Sequence, residues 1–433
     1  MDEGTTILFG LPGVAVREVE RVDGGRVVHV VTDDAGAAAC PVCGVFSDTV
    51  RQCRTTRPKD LRYGEEPLAV RWHKTQYACR EQSCPRIAFT ECVAELPAGA
   101  RATGRLRRAA AGSVAAGASV AAAVREHGLS WPIVHAAFVA KADRLLVEPC
   151  PVKVLGVDET RRGRARWSKD PDSGKWRRLD TFETNFFDLG GAGGLLGQAP
   201  GRTKKTVIEW LDARGQQWKD NVQMVAIDPS ATYRAAIREA LPNATIVADH
   251  FHLVMLANTM VTEVRQRVVR ETCGRRGLAT DPIWAGRRRL LRGRDTLSDK
   301  AFAAMWNALV DNDPTDQILT AWIAKEELRA LFATARTGGQ RHDIAHRLDR
   351  FYSWCAGPGA DIPEVQRLAG TIDTWWPQIL AFLETGITNA ATEGGNHLIK
   401  DAARVAFGFR NLGNQRRRVR WACTRRQRLA ATG

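Results

Sequence analysis

The sequence predicts a multidomain α+β protein in which small cysteine-containing and helical segments precede an α/β core. Three observations support this prediction. The chain has 433 residues, a length that suggests two to four domains. Two closely spaced cysteine pairs lie between residues 40 and 84. From about residue 149, short apolar strands alternate with helical stretches, and a long helical segment over residues 255–385 then interrupts that alternation.

The composition is that of a folded protein with a large excess of positive charge. Hydrophobic residues make up 44% of the chain, and the formal net charge is +15. Such an excess favours a polyanionic partner, nucleic acid first, although charge alone does not distinguish DNA from RNA. No apolar run reaches the roughly 18 residues of a membrane span, and the acidic start Met1-Asp2-Glu3 does not resemble a secretory signal. We therefore expect a cytoplasmic protein without membrane contact.

Residues 1–97 predict a β-rich module that binds zinc. Polar and apolar residues alternate on both sides of Asp23-Gly24-Gly25, which predicts two strands joined by a turn, and Pro67–Trp72 is also strand-like. Cysteines of a cytoplasmic protein are metal ligands or core thiols rather than disulfides. Two cysteine pairs at this spacing favour a structural Zn²⁺ ion over core thiols. The predicted zinc ligands are Cys40, Cys43, Cys79 and Cys84.

Residues 98–148 predict two helices around a short turn. A helical pattern over Ser113–His127 is followed by Gly128 and by a second helix, which Ser130 is predicted to cap. This arrangement is typical of a helix-turn-helix, and the alternative is an ordinary helical hairpin. The net charge favours DNA binding, with contacts from the arginines that begin this segment and from the turn and the second helix. The predicted contacts are Arg105, Arg107, Arg108, Ser130, Trp131, His135 and Lys141.

Residues 149–254 form the first part of the predicted α/β core. Apolar strands end in Asp158 and in Asp228, and neighbouring strand ends bring such side chains together. Two close carboxylates repel each other unless a cation lies between them, and hard oxygen ligands suit Mg²⁺ or Mn²⁺. Two such ions can activate a water or a 3′-hydroxyl for phosphoryl transfer. Either aspartate alone is more simply a solvated acid, but together they favour a metal site.

Residues 386–433 supply a third acid and a basic tail. Glu393 is the one carboxylate of the stretch Ile387–Lys400, and Gly394 and Gly395 follow it. Alone, this stretch predicts a loop that opens a surface helix. With the two aspartates, it predicts that Glu393 lies within metal-bridging reach of both, on a helix packed against their strands. We interpret the two glycines as room for a bulky polyanionic substrate.

The order of these acids resembles that in DDE transposases of bacterial insertion sequences, and the chain is most similar to the ISL3 family. The resemblance covers nearly the whole chain and is most specific at Tyr77–Phe89 and in the C-terminal run, where Ala390 departs from the usual glycine. The run reads Thr388-Asn389 … Thr392-Glu393-Gly394 … Asn396 … Lys400 … Arg404 … Gly408-Phe409-Arg410-Asn411. The resemblance implies a ribonuclease-H-like core with an all-helical insertion. It also implies that Asp158, Asp228 and Glu393 are the catalytic metal ligands.

Further roles follow from the resemblance. Asp249 and His252 match a D-x-x-H pattern, and we expect them either to hydrogen-bond and brace the insertion or simply to end a strand. Lys400, Arg404 and Arg410 are expected to contact DNA. The tryptophans of the insertion are expected in the core, with one available to stack on an unpaired base.

The activity that the resemblance implies is that of a transposase. The N-terminal segments would bind terminal inverted repeats, and the core would cut DNA 3′ ends and join them to target DNA. Transposases of this fold act as dimers or larger assemblies, and we expect association with the nucleoid. Two alternatives stay open: a catalytically silent DNA-binding regulator, and a metal-dependent nuclease or resolvase with the same fold.

Overall fold

The computed structural model describes residues 3–64, 68–163, 166–179 and 181–424. The chain divides into two compact units, one of residues 1–147 with 401–422 and the other of residues 148–400 with 423–433. No helix in these ranges is long and apolar enough to cross a membrane. Some predicted positions lie outside the described residues, namely Pro67, Asp180, Arg425, Arg426 and Arg428.

The first unit begins with helix α1 and a five-stranded sheet. Their bounds are α1 Glu3–Phe9, β1 Val14–Val22, β2 Gly25–Thr32, β3 Val50–Thr56, β4 Leu68–Ala78 and β5 Ala88–Thr90. The strands lie in the order β1-β2-β4-β3, with β5 on β4. The predicted hairpin of β1 and β2 is confirmed, because Asp23 and Gly24 both have positive φ, as a two-residue hairpin turn requires. One face of the sheet buries Val16, Val30 and Trp72 in a small core.

Three helices complete this unit together with one from the far end of the chain. Their bounds are α2 Gly104–Ala115, α3 Val120–His127, α4 Trp131–Leu145 and α16 Leu412–Cys423. The helical stretch predicted over Ser113–His127, with its interruption at Gly117, is divided between two helices, because α2 ends at Ala115 and the Ser119 side chain caps α3. Residues 401–422, which carry much of the basic C-terminal sequence, group with the first unit and not with the α/β core. Trp421 of α16 packs edge-on against Phe138 and donates a hydrogen bond to the Ala115 carbonyl.

The second unit contains a five-stranded sheet and a separate two-stranded one. The strands are β6 Val154–Arg161, β7 Arg166–Lys169, β8 Trp176–Leu179, β9 Phe182–Asp188, β10 Leu195–Pro200, β11 Met224–Ile227 and β12 Thr245–Ala248. The larger sheet has the order β10-β9-β6-β11-β12. Strand β9 is antiparallel to β6 and β10, whereas β11 is parallel to β6 and β12. Strands β7 and β8 pair only with each other, and we call them the β7–β8 ribbon.

Eleven helices of the described chain surround this sheet or continue from it. They are α5 Lys204–Asp212, α6 Gln216–Asp220, α7 Ala231–Ala240, α8 His250–Cys273, α9 Pro282–Leu290, α10 Asp299–Asn312, α11 Gln317–Ala333, α12 Arg341–Ala356, α13 Pro363–Thr374, α14 Trp376–Thr385 and α15 Ala390–Val405. The predicted helical segment corresponds to α8–α14. Its buried side chains, such as Leu253, Leu328 and Phe382, share one core with Val225 of the sheet. Trp322 and Trp375 lie in that core, as expected for most tryptophans of this segment.

Candidate active site and metal centres

Three acids lie at the same register position on neighbouring strands of the five-stranded sheet in the second unit. Val157 of β6 pairs with Ile227 of β11, and Ile227 pairs with Ala248 of β12, in parallel register. The next residues along these three neighbouring strands are Asp158, Asp228 and Asp249. Side chains at one register level of neighbouring strands point to the same face of a sheet. The sheet therefore holds Asp158 beside Asp228, and β6 itself continues past Asp158 to Arg161.

Two asparagines at the N-terminal end of helix α15 contact the two aspartates: Asn389 immediately precedes the helix and Asn396 lies within it. Asn396 donates a hydrogen bond from Nδ2 to Asp158 Oδ2, and Asn389 donates one from Nδ2 to Asp228 Oδ1 at 3.3 Å. Glu393 lies between these asparagines in the first turn of α15 and is half-buried. Positions 389, 393 and 396 are spaced four and three residues apart, so they share one face of the helix.

The same helix packs directly on the strands that carry the acids. A Cβ atom added at Gly395 would collide with the Phe187 ring of β9, and one added at Gly156 of β6 would meet the Thr392 hydroxyl. The predicted helix against the aspartate strands is therefore present. Gly395 was expected to leave room for a polyanionic substrate, but in the structure it allows the helix to pack closely on Phe187. Gly394 is exposed, with no atom within 4 Å of where its Cβ would lie.

His252 lies between two of the acids. Its Nε2 is 3.1 Å from Asp228 Oδ2, and its Nδ1 is 2.9 Å from Asp249 Oδ2. The hydrogen bond to Asp249 raises the pKa of His252 to about 9, so the ring is an imidazolium with a donor for each carboxylate. Burial opposes ionisation of Asp249 and raises its pKa, but the hydrogen bond from His252 and the nearby charges of His250 and His252 together hold the pKa of Asp249 below its ordinary value. The expected Asp249–His252 bond is present, and it ties the first turn of α8 to the sheet.

The electrostatics of the site favour a bound cation. Burial raises the pKa of Asp158, and burial together with the nearby charge of Asp158 raises the pKa of Asp228 to about 7. A divalent cation removes the repulsion between two such carboxylates, and their hard oxygens suit Mg²⁺ or Mn²⁺. The amide of Asn389 adds a buried oxygen, Oδ1, that has no hydrogen-bond partner. The donor set therefore fits the predicted hard cation.

The geometry supports Glu393 as a metal ligand less directly than it supports the aspartates. Among the described residues, the ligand atoms that cluster within 4.8 Å at this place belong to Asp228, Asp249 and His252. Asp158, Asp228 and Glu393 do not form such a cluster, so the metal-bridging reach of Glu393 stays a prediction. Glu393 is nevertheless close enough for its charge to favour protonation of His250 in the first turn of α8.

A buried polar network behind Asp158 was not predicted. Asn396 Oδ1 accepts a hydrogen bond from Asn185 Nδ2 at 3.1 Å, and Asn185 Oδ1 accepts one from Gln198 at 2.7 Å. Asn185 is fully buried on β9. The spacing of Asn389, Glu393 and Asn396 was a signal that could have identified both α15 asparagines. Asn185 gave none, because its role depends on the pairing of β9 with β6.

The four predicted zinc ligands converge. One Sγ atom from each of Cys40, Cys43, Cys79 and Cys84 lies within 4.8 Å of the others, and the Cys43–Cys79 pair is 3.5 Å apart. Backbone N–H groups, first that of Cys43, lower the pKa of Cys40 to about 6, which favours the thiolate that a metal binds. The arrangement is that of a tetrahedral thiolate site.

The remaining cysteines of this module differ. Cys53 and Cys92 are exposed and lie outside the cluster of four. Their exposure means that they are not part of a packed core.

The basic residues predicted to contact DNA near α2 differ in whether other protein groups already engage their side chains. Arg105 forms an ion pair with Asp60 and donates to the Phe9 carbonyl at 2.6 Å, so its guanidinium is engaged inside the unit. Arg107, Arg108 and Lys141 line a cleft of about 630 Å³ formed by α2 and α4, together with Arg144, and Arg108 also forms an ion pair with Glu95 at 2.6 Å. This cleft has the positive charge that a phosphate backbone requires.

The predicted contacts on α4 and in the C-terminal run are largely accessible. Trp131 is 49% exposed and stacks on His135 with ring centroids 4.6 Å apart. Ser130 occupies the N-cap position of α4 as predicted, with an extended backbone, but its side chain makes no cap hydrogen bond. Three basic residues of the C-terminal run are exposed, namely Lys400, Arg404 and Arg410.

Comparisons with known proteins agree with one another. The ISL3 transposase family model matches residues 172–419, a range that begins after Asp158 and includes Asp228 and Glu393. A second model, the zinc-finger of transposase IS204/IS1001/IS1096/IS1165, matches residues 36–84 and includes all four clustered cysteines.

Individual relatives extend the match. The transposase for insertion sequence element IS1001 of Bordetella parapertussis is 26% identical over 413 residues, which cover 93% of this chain and 94% of that protein. The transposase for element IS1557 of Mycobacterium tuberculosis is 29% identical over 235 residues, 51% of this chain and 52% of that one. Among solved structures, the Drosophila P element transposase strand transfer complex aligns with a TM-score of 0.37 and 11% identity, covering 74% of this chain and 91% of that one.

Proposed function

The chain belongs to the ISL3 family of DDE transposases, and we propose that it binds the terminal inverted repeats of its insertion sequence and catalyses cleavage and strand transfer of that DNA. The order β10-β9-β6-β11-β12, with β9 antiparallel and β11 parallel to β6, supports a ribonuclease-H-like core. The succession α2, α3, α4, with Gly128 in the turn before α4, supports a helix-turn-helix.

The proposed catalytic residues are Asp158, Asp228 and Glu393, acting as ligands of Mg²⁺ or Mn²⁺. The observation that carries this proposal is the contact of one helix face with both aspartates, through Asn396 on Asp158 and Asn389 on Asp228. Glu393 is the third ligand because it lies between these two contacts. When bound, the cations supply activation of a water or 3′-hydroxyl oxygen and stabilisation of the leaving oxygen.

His252 is a positioning residue in this proposal. Its two ring nitrogens contact Asp228 and Asp249, which fixes the orientation of the Asp228 carboxylate. Because His252 lies in the first turn of α8, the same contacts couple the helical segment to the site. Asn396 has the corresponding role for Asp158 and is itself held by Asn185.

The first unit is the proposed reader of the DNA ends, with its zinc-stabilised module and its helices. Arg107, Arg108 and Lys141 contact phosphates, which makes the affinity depend steeply on salt concentration. Trp131 and His135, at the start of α4, are the proposed base-reading residues. Joining two DNA ends in one reaction favours a dimer or larger assembly, and association with the nucleoid follows from binding chromosomal DNA.

The test uses DNA from both chromosomal flanks of the gene, since these contain the repeats if the gene lies in its element. Purified protein is incubated with this DNA in Mg²⁺, in Mn²⁺ or in EDTA. New 3′-hydroxyl ends and joined products are mapped. We expect both products to need the divalent ion and to disappear in Glu393→Gln. Asp401→Asn is the matched control, because it removes one carboxylate from an exposed position of the same helix.

Three results would contradict parts of the proposal. Specific binding without nicking indicates a regulator. Nicking without joined products indicates a nuclease or resolvase. Full cleavage by Glu393→Gln means that the third metal ligand is a different residue.

A further inference from the structure

The β7–β8 ribbon exposes two tryptophans. The side chain of Trp167 is 58% exposed and that of Trp176 is 67% exposed, whereas Trp210 and Trp218 of the same unit are buried. Single exposed apolar side chains are common on protein surfaces, but two large apolar rings together on one small surface element indicate an interaction site.

The strand register places both rings on one face of the ribbon. Lys169 pairs directly with Trp176, and Trp167 lies two residues before Lys169 on β7. Directly paired residues of antiparallel strands share a face, as do residues two apart on one strand. The face therefore carries Trp167, Lys169 and Trp176.

The ribbon is also strongly basic. Residues 161–179 contain eight lysines and arginines and two aspartates. One of these acids, Asp170, has a structural role in the turn, where its Oδ1 accepts hydrogen bonds from the backbone N–H groups of Asp172 and Ser173 and from the Ser173 hydroxyl. These bonds lower the pKa of Asp170. A fixed turn and a basic sequence around two exposed rings suit a nucleic-acid strand.

The ribbon is continuous with the strands that frame the candidate site. Strand β6 carries Asp158 and ends at Arg161, shortly before β7, and β9 begins shortly after β8. Asp158 itself pairs with Asn185 of β9, and the Arg162 N–H donates to the Thr181 carbonyl at 2.6 Å at the base of the ribbon. DNA at Asp158 therefore lies next to the chain segments that lead into the ribbon.

We propose that the ribbon binds unpaired nucleotides of the strand that is cut, with Trp167 and Trp176 stacking on bases and Lys169 contacting a phosphate. The identification of that strand rests on the proposed function. Aromatic stacking tolerates any sequence because every base has a π-face. This tolerance suits the DNA outside a transposon end, since its sequence changes with each insertion site.

The test measures single-strand binding apart from catalysis. The full-length protein is titrated with a labelled 20-nucleotide dT oligonucleotide and with a duplex of the same length. Stacking on one ring contributes roughly a tenfold affinity. We therefore expect the double variant Trp167→Ala/Trp176→Ala to bind the oligonucleotide about 10- to 100-fold more weakly, with duplex affinity changed less than about twofold.

Conservative variants separate stacking from apolar burial. Trp167→Phe/Trp176→Phe should keep most of the single-strand affinity, whereas Trp167→Leu/Trp176→Leu should lose it although leucine is equally apolar. The logarithm of the binding constant falls linearly with the logarithm of the salt concentration. Lys169→Gln should reduce the steepness of this line by about 0.7, the value for one phosphate contact on a single strand. Arg177→Gln is its matched control, because Arg177 pairs with Ser168 on the opposite face.

Two results would overturn the inference. One is an unchanged oligonucleotide affinity in the alanine double variant. The other is a loss of self-association in that variant, seen by sedimentation, with single-strand binding intact; the rings would then contact a second copy of the chain. If the wild-type protein binds dT through the ribbon but cleaves no DNA, the proposed catalysis fails and the ribbon assignment stands.

Discussion

The two candidate metal centres of this chain are built in opposite ways. The thiolate site takes four ligands from two short turns between residues 40 and 84. The proposed carboxylate site takes Asp158 from β6, Asp228 from the position directly after β11 and Glu393 from α15. The first geometry is encoded by local spacing, because two cysteines in one tight turn are already near each other. The second exists only after β6, β11 and α15 have come together.

This difference predicts how each centre responds to substitution. The thiolate ligands should determine whether their module folds, since a small sheet with a core of few side chains depends on its metal. The carboxylates should determine activity with little effect on folding, because a large continuous core holds their strands.

The largest expected effect is therefore at the zinc ligands. Cys43→Ser should lose the zinc ion and unfold the N-terminal module, since structural zinc supplies about 10–16 kcal/mol of apparent binding free energy. Zinc content by atomic absorption and proteolysis of residues 1–97 measure this loss. Cys53→Ser is the control, because Cys53 is exposed and outside the cluster. If Cys43→Ser retained its zinc, the thiolate site would not depend on all four ligands, and the contrast with the carboxylate site would fail.

The next effect is at the carboxylates. Asp228→Asn keeps the shape of the side chain but removes its charge, so we expect DNA cleavage in Mg²⁺ to fall by at least about a thousandfold, or roughly 4 kcal/mol of activation free energy. The melting temperature should stay within a few degrees of the wild type. Asp349→Asn, at an exposed position of α12, controls for the loss of one charge. A variant that unfolds would mean that the carboxylates, like the thiolates, hold their unit together.

A smaller effect is expected where a side chain positions a ligand. Asn396→Ala removes the donor to Asp158 and leaves Asn185 without one of its acceptors. Loss of such a partner typically lowers metal affinity or activity 10- to 100-fold. The cleavage rate measured against Mg²⁺ concentration should shift to higher concentration. His397→Ala, at an exposed position of α15, should leave the curve unchanged. An unshifted curve for Asn396→Ala would assign Asn396 to packing alone.

The sequence predicted the parts of the molecule that depend on neighbours along the chain. The hairpin at Asp23 and the strands before Asp158 and Asp228 follow from local patterns. It did not predict that Trp421 packs against Phe138, because that contact joins residues nearly three hundred positions apart. Arg105 shows the same limit, since only the folded chain brings Asp60 to its guanidinium.

The candidate site likewise contains residues that local sequence predicts and residues whose roles depend on long-range contacts. The acids were predicted because carboxylates after apolar strands are visible in one dimension. The asparagines that orient them, and the contact of His252 with Asp228, depend on which face of α15 and α8 meets the sheet. The β7–β8 ribbon was missed for a different reason. The sequence over Arg178–Leu189 resembles a single long aromatic strand, whereas β8 ends at Leu179 and β9 begins at Phe182.

The smallest expected effect comes from the two glycines after Glu393, and it tests the seating of α15 most directly. A methyl group at Gly395 has to displace the Phe187 ring, so Gly395→Ala should destabilise the protein by about 1–3 kcal/mol and reduce cleavage as α15 shifts. Gly394 meets no atom within 4 Å, so Gly394→Ala should stabilise the helix by about 0.5–1 kcal/mol. Denaturant unfolding monitored by circular dichroism compares the two. Opposite signs at adjacent positions require that α15 lies on β9 as described. Equal effects would mean that the helix is not held there, and the asparagine contacts that support Glu393 as a ligand would lose their basis.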